Sequence, residues 1–200
     1  MSSPSLTERR RAATLLDIST VAVALFAERG AQQCTVADIA RAAGVSERTF
    51  YRYFATKEQV IAPALAAGMR TSEEVLAARP ADEPLLDSLR ASFEAALLGN
   101  ERAPHVRRFL AAMLDDEALY AVWLHVVHDA EPGIAAVLAA RTGLPAGSTD
   151  IALTAACVAV AFRITLERWA RADPGDPAAL NPVRAAEEAL GVLVRLPLTA

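Results

Sequence analysis

Thr35, Ser46 and Thr56 each stand where a helix can begin, and the three fall within about twenty-two residues. Thr35 with Asp38, three positions on, has the form of a capping box, in which two side chains satisfy the free amides of a first turn. It opens a brief helix through Ala43, with Val36, Ile39 and Ala40 facing inward, and Gly44 breaks it. Ser46 caps a second short helix through about Phe54, and Thr56 with Gln59 caps a longer one running toward Arg79, in which Pro63 is expected to weaken one backbone hydrogen bond and act as a bend. Caps at this density, with a glycine between two short helices, restrict the chain to a helix-turn-helix, because the turn must reverse tightly without burying unpaired amides. A longer helix precedes it. Ser5 and Glu8 form another capping box, and Leu15, Ile18, Ala22, Leu25 and Phe26 recur at helical spacing until Gly30.

Beyond Pro80 the spacing predicts helices over 84–98, 104–114, 116–141, 149–171 and 182–196, separated by Gly99, Pro104, Gly143, Pro145, Gly147 and the DPGDP run at 173–177. Pro132 and Gly133 predict a kink or break in the third of these. Strand alternation is absent, so the fold class is all-α: an N-terminal three-helix helix-turn-helix module over residues 1–60 and a larger helical body over 61–200.

Charge divides along the same line. Residues 1–60 hold eight Lys and Arg against six Asp and Glu, while 61–200 hold twelve against eighteen, so a mildly basic head sits on an acidic body within a chain of net charge −4. The start lacks the apolar stretch of a secretory signal, and the twelve-residue run IALTAACVAVAF ends at Arg163, short of the roughly 18 to 20 residues a membrane span needs. Two cysteines, Cys34 and Cys157, are too few for a disulfide scaffold or a thiolate metal site, and a cytoplasmic location is expected.

Of eleven aromatic residues, four (Phe50, Tyr51, Tyr53, Phe54) lie within five positions, interleaved with Arg48, Arg52 and Lys57, the only lysine. On a helix Phe50 and Phe54 share one face, while Glu47, Arg48, Tyr51 and Arg52 crowd the other. The first face can be core. The second suits a negatively charged groove, where Arg reads guanine edges and hydroxyls hold phosphates. An ordinary solvated face is the alternative for the arginines, but Arg9, Arg10 and Arg11 at the start of the first helix, together with the helix-turn-helix frame, favour DNA.

The stretch TVADIARAAGVSERTFYRYFATKEQV resembles the amino-terminal DNA-binding module of the tetracycline-repressor (TetR) family of bacterial transcription regulators: a T-V-x-x-I-A run, A-G-V-S at the turn, T-F-Y-x-Y-F along the recognition helix and K-E at the next helix, within residues 7–60. The resemblance implies phosphate-facing or groove-edge roles for Thr49, Tyr51, Tyr53 and Lys57. Arg48 and Arg52 are the candidates for base contacts, flanked by Thr35, Arg41 and the cap Ser46, and Glu47 can accept from cytosine or repel phosphate. It further implies a dimer built on the last two helices and a small-molecule pocket in the body. RRFLAAMLDDEALYA, AARTGLP and the helix ending LERWARAD look like a subgroup whose sensor domains resemble binders of acyl-CoA-type ligands.

Leu89, Phe93, Leu97, Phe109, Met113, Trp123, Val127 and Phe162 are candidates to line an apolar cavity, and ordinary core is the competing reading for each. Arg163 follows the apolar run and needs a neutralising partner: Glu167 one turn on, or an acidic group on a ligand. His125 and His128 stand three apart, without the frame of a helical zinc site, and no metal or cofactor is expected. No nucleophile elbow, phosphate loop or dinucleotide fingerprint occurs, so an enzyme has no positive support. The expected protein is a dimeric repressor that binds palindromic double-stranded operator DNA, is released by a hydrophobic or acyl-type effector, and has no membrane partner. The rivals are a DNA-binding regulator without a small-molecule ligand, and a helical small-molecule-binding protein or enzyme.

Overall fold

A computed structural model describes residues 5–98, 103–173, 175, 188 and 191. All of the predicted helix over 182–196 but residues 188 and 191, and the side chain of Leu97, lie outside what is described.

Eight α-helices are present among the described residues: α1 (Leu6–Arg29), α2 (Val36–Ala42), α3 (Glu47–Tyr53), α4 (Ala62–Ala78), α5 (Leu85–Leu98), α6 (Ala103–Leu114), α7 (Glu117–Thr142) and α8 (Thr149–Ala170). The caps read from the sequence form as expected. Ser5 and Glu8 close one box at the start of α1, Thr35 and Asp38 another at α2, and the Ser46 hydroxyl accepts from the Thr49 amide at 3.1 Å. Each satisfies amides that a short helix would otherwise leave bare. Gly44, between α2 and α3, has φ +68°, a left-handed turn conformation that side chains resist.

Two expectations change. Thr56 accepts from Gln59 at 3.3 Å as expected, but the turn it starts is 3₁₀, Glu58–Ile61, and α4 begins after it. Pro63 therefore sits in the first turn of α4 rather than within the helix. There its missing N–H removes no helical hydrogen bond, which withdraws it as a bend. Helix α7 runs unbroken through Pro132 and Gly133. Its neighbours hold it: α7 packs along both α4 and α8, and Gly133, lacking a Cβ, leaves room for the Glu73 carboxylate of α4, which a Cβ would strike.

One apolar core runs through head and body, from Ile18, Phe26, Ile39 and Phe50 to Met69, Phe93, Phe109, Trp123 and Trp169. Helix α1 joins the halves, packing on α2, α4 and α6, and the Ser19 hydroxyl at its centre accepts from the Ala64 amide of α4 at 3.0 Å. By length and composition α8 passes as a membrane-crossing helix. Ile151, Ala155, Val158, Phe162, Leu166 and Trp169 are nonetheless buried along one side of it.

Candidate nucleic-acid interface and effector cavity

Recognition helix α3 is held by Phe50, fully buried, and by Phe54 just past its end, their rings 5.1 Å apart. With that side anchored, Glu47, Arg48, Tyr51 and Arg52 are exposed, as are Thr35, Arg41 and Ser46. Thr49 and Tyr53 are half-buried. Several of these residues already carry structural duties. The Thr35 hydroxyl donates to Asp38 at 2.6 Å, and with the Thr35 amide it holds the Asp38 carboxyl below its ordinary range. Arg41 pairs with Asp38 at 3.3 Å. Arg48 makes no such local bond, Tyr51 is 56% exposed, and both project beyond the cap.

Lys57 precedes the 3₁₀ turn rather than lying in the first turn of α4, and its Nζ donates to the Ala31 carbonyl at 2.8 Å. It thus ties the two ends of the helix-turn-helix together and keeps two N–H donors in hand.

Sequence reasoning kept Arg9, Arg10 and Arg11 apart from the recognition helix. Folding brings Arg11 and Arg52 onto the Tyr53 ring, 5.9 and 5.0 Å from its centroid. Thr7, Arg10, Arg11, Thr14, Arg52 and Tyr53 line a crevice of about 340 Å³ between the start of α1 and the end of α3. Three guanidinium groups and three hydroxyls around one crevice make an anion-binding surface. The signal available in the sequence was the spacing of Thr7, Arg11 and Thr14, which share a face of α1.

In the body, a cavity of about 790 Å³ opens between α1, α4, α5, α6, α7 and α8. Of the predicted lining residues, Phe109, Trp123 and Phe162 border it. Leu89 and Phe93 pack with Phe162 around a void of only about 10 Å³, while Met113 and Val127 are buried without facing the cavity. The wall the sequence did not reveal comes from α1 and α4: Leu16, Val23, Ala27, Leu65, Gly68 and Met69. These read as ordinary helix stripes, because a cavity between helices from distant parts of the chain leaves no local pattern.

Arg163 is spoken for. Its Nη1 donates to both Glu167 oxygens at 2.8 and 2.9 Å and to the Tyr120 hydroxyl at 3.2 Å, the intramolecular alternative. His125 lies 3.5 Å from Asp129 and His128 3.3 Å from Glu131, all on the surface apart from a half-buried Glu131. Among the described residues no three metal-ligating side chains gather.

The sequence profile of bacterial regulatory proteins of the tetR family matches residues 18–63, and that of the MftR C-terminal domain matches residues 83–185. The chain belongs to the TetR family of bacterial transcription regulators. Its DNA-binding helix-turn-helix is the one built on α2 and α3. Among curated TetR-type relatives, the HTH-type transcriptional regulator TcmR of Streptomyces glaucescens is 30% identical over 149 residues, 70% of this chain and 66% of that protein. A Mycobacterium tuberculosis regulator named for mycofactocin biosynthesis, MftR, is 50% identical over 52 residues, 26% of each chain. The matches therefore span about two thirds and a quarter of those relatives' lengths. The fold is shared with TetR-family FadR of Thermus thermophilus in complex with lauroyl-CoA (TM-score 0.57, 24% identity, 92% of this chain and 95% of that one). It is shared also with GusR of Salmonella enterica (TM-score 0.58, 18% identity, 92% and 95%).

Proposed function

We propose that the protein is a homodimeric repressor that holds a palindromic operator through two copies of α3 and releases it when a hydrophobic or acyl-type small molecule fills the body cavity. In this reading Arg48 and Arg52 contact bases. Glu47 accepts from cytosine, and Thr35, Arg41, Ser46, Thr49, Tyr51, Tyr53 and Lys57 border the groove or hold phosphates, joined by Arg10 and Arg11. The DNA-binding unit ends near residue 60, at the 3₁₀ turn before α4.

The observation that carries the reading is that α1 and α4 each serve two masters. They supply much of the cavity wall, through Leu16, Val23, Ala27, Leu65, Gly68 and Met69; the Ser19 to Ala64 hydrogen bond ties them to each other, and α1 packs on α2 of the recognition module. A molecule entering the cavity must push on the helices that aim α3. To release DNA it need only favour the misfitting arrangement by about 1 to 3 kcal/mol. The FadR relative of this fold holds lauroyl-CoA, and the apolar lining suits an acyl chain.

Dimerisation is supported by α8. Its outward side carries Leu153 (61% exposed), Cys157, Val160 (41%) and Ile164 (38%) at helical spacing, an unbroken apolar stripe. A two-fold pair built on it would set recognition helices about 34 to 36 Å apart, one turn of DNA.

The test is selection of bound duplexes from a random pool, then fluorescence anisotropy on the selected sequence with and without lauroyl-CoA and a panel of other acyl-CoA esters. Two inverted half-sites and a weakened complex with at least one ester are expected. A single half-site removes the dimer from the reading, and binding indifferent to every ester removes the acyl effector.

A further inference from the structure

Helix α4 turns a second face, Pro63, Ala66, Arg70 and Glu73, to a groove of about 910 Å³. Val122, Val126 and Gly133 of α7 border it too, with Leu15 of α1 and with Tyr53 and Phe54 at the end of the recognition helix. Among the described residues only Met69 is shared with the effector cavity. Four charged or titrating side chains line the groove. Arg70, His125 and Asp129 are exposed, and Glu73 alone is half-buried. The Glu73 carboxylate lies against α7, where a side chain on Gly133 would stand. Among the described residues no hydrogen bond or ion pair reaches it, and its oxygens keep accessible surface. Burial pushes the carboxyl above its ordinary range, and the Arg70 charge only partly offsets this.

We propose that this groove is a second small-molecule site, and that its ligand is a lipophilic cation: an ammonium group that pairs with the Glu73 carboxylate, carried on an apolar chain that lies between α4 and α7. Nothing in this site depends on the effector cavity. The charges around the groove narrow the class. An uncharged apolar occupant would strip water from Glu73 and return nothing. An anion would add its charge to those of Glu73 and Asp129. An ammonium replaces the lost water with a charge-assisted hydrogen bond, at the bordering carboxylate that no side chain answers. Asp129 already has His125 at 3.5 Å. Arg70 does not fill the same role, because it is exposed and makes no ion pair with Glu73, and in solvent its repulsion of a second cation is screened.

Decylamine, an ammonium at neutral pH, and decan-1-ol carry different charge on the same chain, and calorimetric titration of the full-length protein with each isolates what the charge contributes. Glu73→Gln is expected to weaken decylamine by roughly five- to tenfold, the worth of a hydrogen bond to a charged group discounted for a carboxylate still partly in water, and to leave decan-1-ol unchanged. The variant keeps the shape of the side chain and removes an unpaired charge, so its melting temperature is not expected to fall. If decylamine does not bind, or if Glu73→Gln weakens amine and alcohol alike or neither, the proposal is overturned. Ala27→Phe, which fills the effector cavity from α1, is expected to spare decylamine; loss of the amine there would place it in that cavity and overturn the second site while leaving the first. Should Glu73→Gln fail to fold, Ala66→Phe decides, since it fills the groove from α4 on a residue that does not border the cavity. Loss of the amine upholds the site, and amine binding that survives the substitution overturns it.

Discussion

The head and the body spend their polar residues in opposite ways. In the head, side chains such as Ser5, Glu8, Thr35, Asp38 and Ser46 satisfy amides three residues away, and most of the arginines are left facing solvent. In the body, polar groups reach across the chain. Arg141 on α7 donates to the Arg79 and Glu83 carbonyls and to the Ser88 hydroxyl at 3.0 to 3.1 Å, and Tyr120 on α7 donates to Glu167 on α8 at 3.1 Å. A module meant to meet a polyanion keeps its arginines at the surface and its caps local. A bundle enclosing a large cavity has given up core, and it fixes its helices with cross-links at the ends instead.

The sharpest way to break this contrast is to remove cations from the head. Arg48→Ala with Arg52→Ala should weaken operator binding by on the order of a hundredfold or more, each base-reading arginine being worth about 1 to 3 kcal/mol. The melting temperature should scarcely change, because both side chains are exposed. Anisotropy and thermal melts on the same samples check both halves, and a large loss of stability would mean that these arginines hold the head together. The converse substitution belongs in the body. Arg141→Leu strands three acceptors, among them the hydroxyl of the fully buried Ser88, and should cost about 2 to 4 kcal/mol in chemical denaturation. If it costs less than about 1 kcal/mol, the long-range cross-links are ornament and the contrast collapses.

The same contrast explains what could be read in advance. Each cap in the head lies within four residues of the amide it serves, so Ser5, Thr35 and Ser46 announced helix starts that the structure repeats to the residue. Phe50 declared itself because one short helix must hide one face. The cavity offered no such signal. Leu89 and Phe109 have similar surroundings in sequence, yet one packs in a tight core and the other borders the cavity. Which it is depends on how far α1 and α4 stand from α6 and α8. Arg163 was legible only as a choice, and Tyr120, forty-three positions away, closes the triad that decides it. Pro63 misled for a local reason: the 3₁₀ turn, invisible to helical periodicity, moved the start of α4 and turned a helix breaker into a first-turn residue.

The smallest effect separates head and body by acid. In the body, donation from Arg79 and then from Ser88 holds the Glu83 carboxyl down to about 2, from an ordinary 4.5. A carboxyl depressed on folding adds stability above its unfolded value and loses it as pH falls toward its folded value. The Glu83 contribution should thus be whole above about pH 4.5 and fade between there and about pH 2. Glu8 and Asp38 in the head are depressed too, by their Ser5 and Thr35 capping bonds, so both regions lose stability in the same direction. Glu73 runs the other way, because burial raises its carboxyl and protonation relieves it. Glu83→Gln separates the contributions. Denaturant midpoints measured from pH 6 to pH 2.5 should fall less steeply in the variant than in the parent, with the remaining slope belonging largely to the caps of the head. Identical slopes would place the acid sensitivity wholly in the head, and the cluster of Arg79, Glu83, Ser88 and Arg141 would then owe its hold to Arg141 and the carbonyls rather than to the carboxylate.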